Sequence, residues 1–208
     1  MLESLDAAPR LGAHLRAVHD VACELVDWVA TNYGGVEVDR EAVLFGAATH
    51  DIGKVVHPEE LSGPGSAHEQ DGYQLLIERG VSEELARFAR THASWTESGV
   101  GLGDLLVSLA DKIWKGKRVP ELEQLVVQRL AAASGEEPWQ VFMSMDDELT
   151  RITATPISGS PSKPTTRSPL EITSEPPSSR RRISDFSSGV TSIGSTAGTA
   201  AGGAHDAS

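Results

Sequence analysis

Apolar residues recur at Leu11, Leu15, Val18, Val21, Ala22, Leu25, Trp28 and Val29, the three-and-four spacing of one helix face, with an acidic face opposite. The pattern predicts a helix over 10–31, ended by "NYGG" at 32–35. A second helix is expected from Asp39, whose side chain suits an N-cap, through "AVLFGAATH" to the pair His50–Asp51. After the breaker "LSGPGS" at 61–66, a third helix should span 67–79 and stop at Gly80. A fourth starts at Ser82, with Glu83 and Glu84 in its first turn, and continues through "LARFARTH". "TESGVGLG" reads as a loop. "DLLVSLADKIWKGK" reads as a fifth helix with Leu105, Leu106, Leu109, Ala110, Ile113 and Trp114 on its apolar face, and Pro120 and Pro138 each suit the first turn of a further helix. No segment shows the alternation of a strand, so the fold class expected is all-α.

Near Thr153 this periodicity stops and Ser, Thr, Pro and Gly take over, leaving few large apolar residues to offset the entropy of ordering the chain. A helical domain over 1–152 and a disordered tail over 153–208 are expected. All four Trp and both Tyr precede residue 140, which puts the core in the first part. The tail carries five Lys or Arg against four Asp or Glu, so almost the whole formal charge of -12 belongs to the helical part. Within the tail, Arg180 to Arg182 precede Ser184 at a spacing that basophilic kinases read.

That acidity argues against nucleic acid as the partner, because phosphate-backbone binding needs clustered Lys and Arg. A small anionic substrate requires only a local gathering of cations, and "DKIWKGKR" offers one in Lys112, Lys115, Lys117 and Arg118. The same four cations also suit the negative end of a helix. The single cysteine, Cys23, cannot form an intrachain disulfide and reads as a small buried side chain of a cytoplasmic protein. The N-terminus lacks a secretory apolar region, and no apolar run approaches the ~18 residues of a membrane span.

The stretch "FGAATHDIGK" sets His50, Asp51 and Lys54 behind small and apolar residues, where ionisable groups need a partner or a metal. Asp111 raises the same question, since Val107 and Trp114 on its helix face make that line mostly apolar. Six of the seven histidines, His14, His19, His50, His57, His68 and His92, lie in the first hundred residues, most of them near expected helix ends.

Taken in order, "AHLRAVHDVA", "ATHDIGK", "SAHEQDGYQLL", "ARTH" and "SLADK" resemble the HD-domain metal-dependent phosphohydrolase superfamily over roughly residues 10 to 118. The resemblance implies a helical bundle holding a divalent transition metal through His14, His50, Asp51 and Asp111. In that family the first ligand precedes a Val by four residues and a small residue by eight, which selects His14 ahead of Val18 and Ala22; His19, five residues closer to His50, is the alternative. His68 and His92 resemble the extra pair of members that bind two ions, with Asp51 bridging them. The donor set suits Fe, Mn, Co, Ni or Zn.

The implied activity is cleavage of a phosphoester or phosphoanhydride in a small phosphorylated, nucleotide-like substrate by metal-activated water. Asp51 and Lys54 would be the catalytic pair, with Lys54 neutralising charge on the phosphoryl oxygens. Asp71-Gly72-Tyr73 is similar to part of the signature of cyclic-dinucleotide hydrolases, but no Pro follows and it precedes His92. His57 matches no ligand position and reads as an exposed or supporting residue. The same fold also admits a non-catalytic regulatory module or a di-iron oxygenase.

Overall fold

In the computed structural model, Leu5 and residues 7–154 are described. Seven α-helices and no strand lie among them: α1 Pro9–Asn32, α2 Arg40–Thr49, α3 Ala67–Glu78, α4 Glu83–Thr91, α5 Leu102–Trp114, α6 Pro120–Ser134 and α7 Pro138–Ala154. Two 3-10 turns, Ile52–Val55 and Pro58–Leu61, join α2 to α3. The described residues adopt the expected all-α class. Helix α7 continues two residues past the expected boundary at 152, and the remainder of the tail, including the Ser184 motif, lies outside the described residues.

The helix limits follow local chemistry. Asp39 Oδ1 accepts from Ala42 N at 3.0 Å and so satisfies an amide that has no partner within the helix. Pro9, Pro120 and Pro138 open α1, α6 and α7, where the missing N–H costs nothing. Helix α5 starts at Leu102, two residues earlier than the sequence pattern suggests. Asp104 draws the preceding loop into its first turn by accepting from Gly101 N at 3.1 Å.

Helix α1 packs on α2 and α5, and α5 on α2 and α6. Val18, Val21, Leu25, Leu105, Leu106, Leu109 and Leu130 are buried in the core between them. A smaller cluster of Ile52, Leu76, Ala86 and Ala89 lies under the first 3-10 turn, α3 and α4. Cys23, expected inside, is only partly buried, because it falls on the flank of α1 between the core stripe and the acidic face.

One close contact seats α3 against the first 3-10 turn. Gly53 lies in the first 3-10 turn, and a Cβ there would sit 2.6 Å from Gly72 N and 2.8 Å from the carbonyl carbon of His68. Only glycine permits this approach, which brings the turn after Asp51 against the helix that carries His68. Gly72 of the "DGY" run is therefore a packing residue, Asp71 accepts from His57 Nε2 at 2.6 Å, and Tyr73 lies under the Arg90 guanidinium at 4.6 Å. All three residues of that motif have structural duties here.

Candidate metal centre

Two histidines end helices by the same device. His50 is the C-cap of α2 and His92 the C-cap of α4, and each ring Nδ1 lies 2.9 Å from a carbonyl three residues back, Ala47 O and Ala89 O. A carbonyl can only accept, so Nδ1 carries the proton and Nε2 presents its lone pair. On α3, His68 Nδ1 is held by Glu60 Oε2 with the same result. Metal-ligating histidines are usually oriented in this way, with the distal ring nitrogen donating to a carbonyl or carboxylate.

These Nε2 atoms converge on Asp51, which is 1% exposed and follows His50 directly. Asp51 Oδ2 lies 3.0 Å from His14 Nε2 and 3.6 Å from His50 Nε2. Its other oxygen, Oδ1, lies 3.1 Å from His68 Nε2 and 3.4 Å from His92 Nε2. On the first side Asp111 Oδ1 approaches His14 Nε2 at 3.5 Å and His50 Nε2 at 3.6 Å, while the two imidazole nitrogens face each other at 3.3 Å. The groups His14–His50–Asp51 and Asp51–His68–His92 thus each bring three donor atoms close enough to hold an ion, and they share Asp51.

The donors fit a cation better than they fit one another. His68 Nε2 and Asp111 Oδ1 are buried and make no well-directed hydrogen bond, though Asp51 and Lys115 are close to them. Burial alone would push the Asp51 carboxyl up, but the electrostatic influence of the surrounding His50, His14, His68 and His92 rings outweighs it and holds it well below the usual carboxylate range. Asp111 behaves in the same way: burial opposes ionisation, and His50, Lys115 and Lys112 overcome it. Burial pushes His92 down toward the neutral, ligating form. Both carboxylates are therefore anionic at neutral pH. Imidazole and carboxylate together suit a first-row divalent ion.

Lysines surround the anionic side. Lys54 Nζ is 2.6 Å from Asp51 Oδ2, Lys115 Nζ 2.7 Å from Asp111 Oδ1, and Lys112 Nζ 3.1 Å from Asp111 Oδ2. A cavity of about 250 Å³ opens beside them, lined in part by Arg10, His14, Asp51, Lys54, Trp114 and Lys115. The Trp114 ring meets His14 edge-on at 4.6 Å.

The structure brings together His14, His50, Asp51, Lys54, His68, His92 and Asp111, and leaves His19 outside, on the other side of α1 beside Asp20 at 3.2 Å and Cys23 at 3.9 Å. His57 belongs to a separate ion pair with Asp71. The basic run after Asp111 divides. Lys112 and Lys115 reach Asp111, whereas Arg118 is held by a two-bond clamp to Glu123, both at 2.8 Å, and by Asp146 at 2.8 Å, joining the α5–α6 connection to α7. Glu60 was not legible as a site residue, since it reaches His68 across the Gly- and Pro-rich break, and Arg10 was not, since nothing in its first-turn position sets it apart from any surface cation.

The HD domain family matches residues 11–116, just over half of the chain. The chain belongs to this family, the metal-dependent phosphohydrolase superfamily that its motifs resemble. No curated protein and no solved structure matches it. Among the described residues, no helix is long and apolar enough to cross a membrane.

Proposed function

We propose that the chain is a metal-dependent phosphohydrolase that cleaves a phosphoester or phosphoanhydride of a small nucleotide-like substrate. His14, His50, Asp51 and Asp111 would hold one ion and Asp51, His68 and His92 a second. The observation that carries this reading is the division of four Nε2 atoms between the two oxygens of one buried carboxylate, two on each side. When bound, such ions supply a water of lowered pKa and positive charge for the non-bridging phosphate oxygens.

The chain's own residues provide the rest. Asp51 stays ionised and faces the Nε2 atoms of four imidazoles, two on each oxygen. Lys54 lines the cavity within reach of Asp51, where its ammonium can neutralise charge growing on the phosphoryl group. Trp114 walls the same cavity with its ring edge-on to His14.

Elemental analysis of purified protein, followed by a phosphoester panel with that metal restored, tests the proposal. Activity should vanish with chelator and return with the divalent ion. A metal-replete protein inactive on nucleoside mono-, di- and triphosphates, dinucleoside polyphosphates and cyclic nucleotides would overturn it, and oxygen-dependent turnover would identify the oxygenase chemistry instead.

A further inference from the structure

Three cations line the cavity beside His14 and Asp51, namely Arg10, Lys54 and Lys115, in a chain whose formal charge is -12. They are not equivalent. Lys54 is neutralised by Asp51 at 2.6 Å and Lys115 by Asp111 at 2.7 Å. Arg10 donates from Nη1 to the Ser62 hydroxyl at 3.1 Å, and among the described residues no carboxylate lies within ion-pair distance of it. An exposed guanidinium facing a cavity, with no carboxylate among the described residues close enough to pair with it, is equipped to receive an anion from outside.

Its position says where on the ligand that anion must be. Arg10 and His14 are four residues apart on α1, hence on one face and separated by about 6 Å along the axis. A phosphoryl group seated by His14, Asp51 and Lys54 therefore leaves Arg10 one helical turn farther along the same wall. Ala13, Leu61 and Trp114 supply apolar surface in the cavity for the intervening atoms. About 250 Å³ accommodates a short skeleton with an anionic group at each end.

We propose that Arg10 is a specificity-determining residue, which selects phosphate esters carrying a second anionic group, a phosphate or a carboxylate, about one helical turn from the phosphoryl group that is cleaved. The inference rests on the phosphohydrolase reading above and adds to it the class of substrate. The planar fork of Arg10 takes two oxygens of that second group, while the lysines deal with the reacting one.

Two probes of similar length isolate this contact: 3-phosphoglycerate, which has a carboxylate at the far end, and glycerol 3-phosphate, which has an alcohol there. Titration calorimetry on the manganese-loaded full chain reads their binding without requiring turnover. Wild-type protein should bind 3-phosphoglycerate about tenfold more tightly, the size expected of a charge-assisted pair. Arg10→Ala should bring the two affinities within twofold by weakening only 3-phosphoglycerate. Arg10→Lys should recover part of the preference, because it keeps the charge but loses the fork. Ser62→Ala should leave the preference intact. Circular dichroism on each variant confirms the fold, which an exposed first-turn residue should not disturb. Equal binding of both probes by wild type, or equal weakening of both in Arg10→Ala, overturns the role of Arg10 and leaves the hydrolase reading standing. Failure of the metal-loaded protein to bind either phosphate ester overturns the substrate class assigned through Arg10, while the nucleotide panel above decides the hydrolase reading on its own.

Discussion

Substituting Gly53 with alanine should be among the most damaging single-methyl changes in the chain. The glycine's backbone is not in the left-handed region, so the cost is steric. The new Cβ would stand 2.6 Å from Gly72 N and 2.8 Å from the His68 carbonyl carbon, where ordinary contact begins near 3.4 Å. The His68 carbonyl oxygen lies closer still; all three are backbone atoms of α3 and cannot rotate aside, so the turn and the helix must part by an ångström or more. Overpacking of this kind costs up to about 3 kcal/mol. For a folded part of this size, that lowers the thermal midpoint by roughly 6–12 °C. The same displacement carries His68 away from Asp51 Oδ1, now 3.1 Å distant, and should release an ion held as proposed by this pair. Thermal unfolding by circular dichroism, with metal content measured in parallel, provides the assay. Gly35→Ala is the control, since a Cβ there meets nothing within 4 Å; it should stabilise slightly or change nothing. A midpoint for Gly53→Ala within about 2 °C of wild type, with metal content unchanged, would refute the claim that this contact positions the centre.

If two ions bind as proposed, Glu60→Gln should weaken the one at Asp51–His68–His92 by about 10- to 100-fold and leave the other in place, because the carboxylate that orients His68 is lost; competitive chelation reads this. His14→Ala should lower metal content and His19→Ala should not, which elemental analysis of both variants decides. The Asp71 carboxylate raises the His57 pKa, so their pair contributes stability below the unfolded-state pKa of about 6.5 and loses it as pH rises through the higher folded value. Asp71→Asn should therefore cost stability at pH 5.5 and little at pH 9, and NMR titration of His57 should move down toward its ordinary value.

The helices were legible because their apolar faces repeat at helical spacing and their ends carry residues with local causes, such as Asp39 bonding Ala42 N and the prolines at three first positions. His50 and His92 were legible for a related reason: both stand at helix ends, and the structure shows each ring closing the last turn through a backbone carbonyl. Asp111 announced itself as a carboxylate on an apolar line. Glu60 did not, because it approaches His68 across the Gly- and Pro-rich break, where no periodicity relates the two. Arg10 was hidden by its ordinariness as a charged first-turn residue until the cavity showed what it faces. The basic run after Asp111 misled in part, since charge spacing cannot reveal that Glu123 and Asp146 fold back to take Arg118. Gly72 carried a family signature in the sequence and a packing role in the fold, and only the approach of Gly53 separates the two.

The central claim is that Asp51 is shared by two ions. Metal content per chain, measured on purified wild-type protein and on Asp51→Asn after loading with the same divalent ion, tests it most directly, because the amide keeps the shape of the carboxylate and removes its bridging charge. Close to two ions per chain are expected in wild type and loss of most of both in the variant, with helicity unchanged. Two ions retained by Asp51→Asn, or a wild-type protein that takes up none, would contradict it.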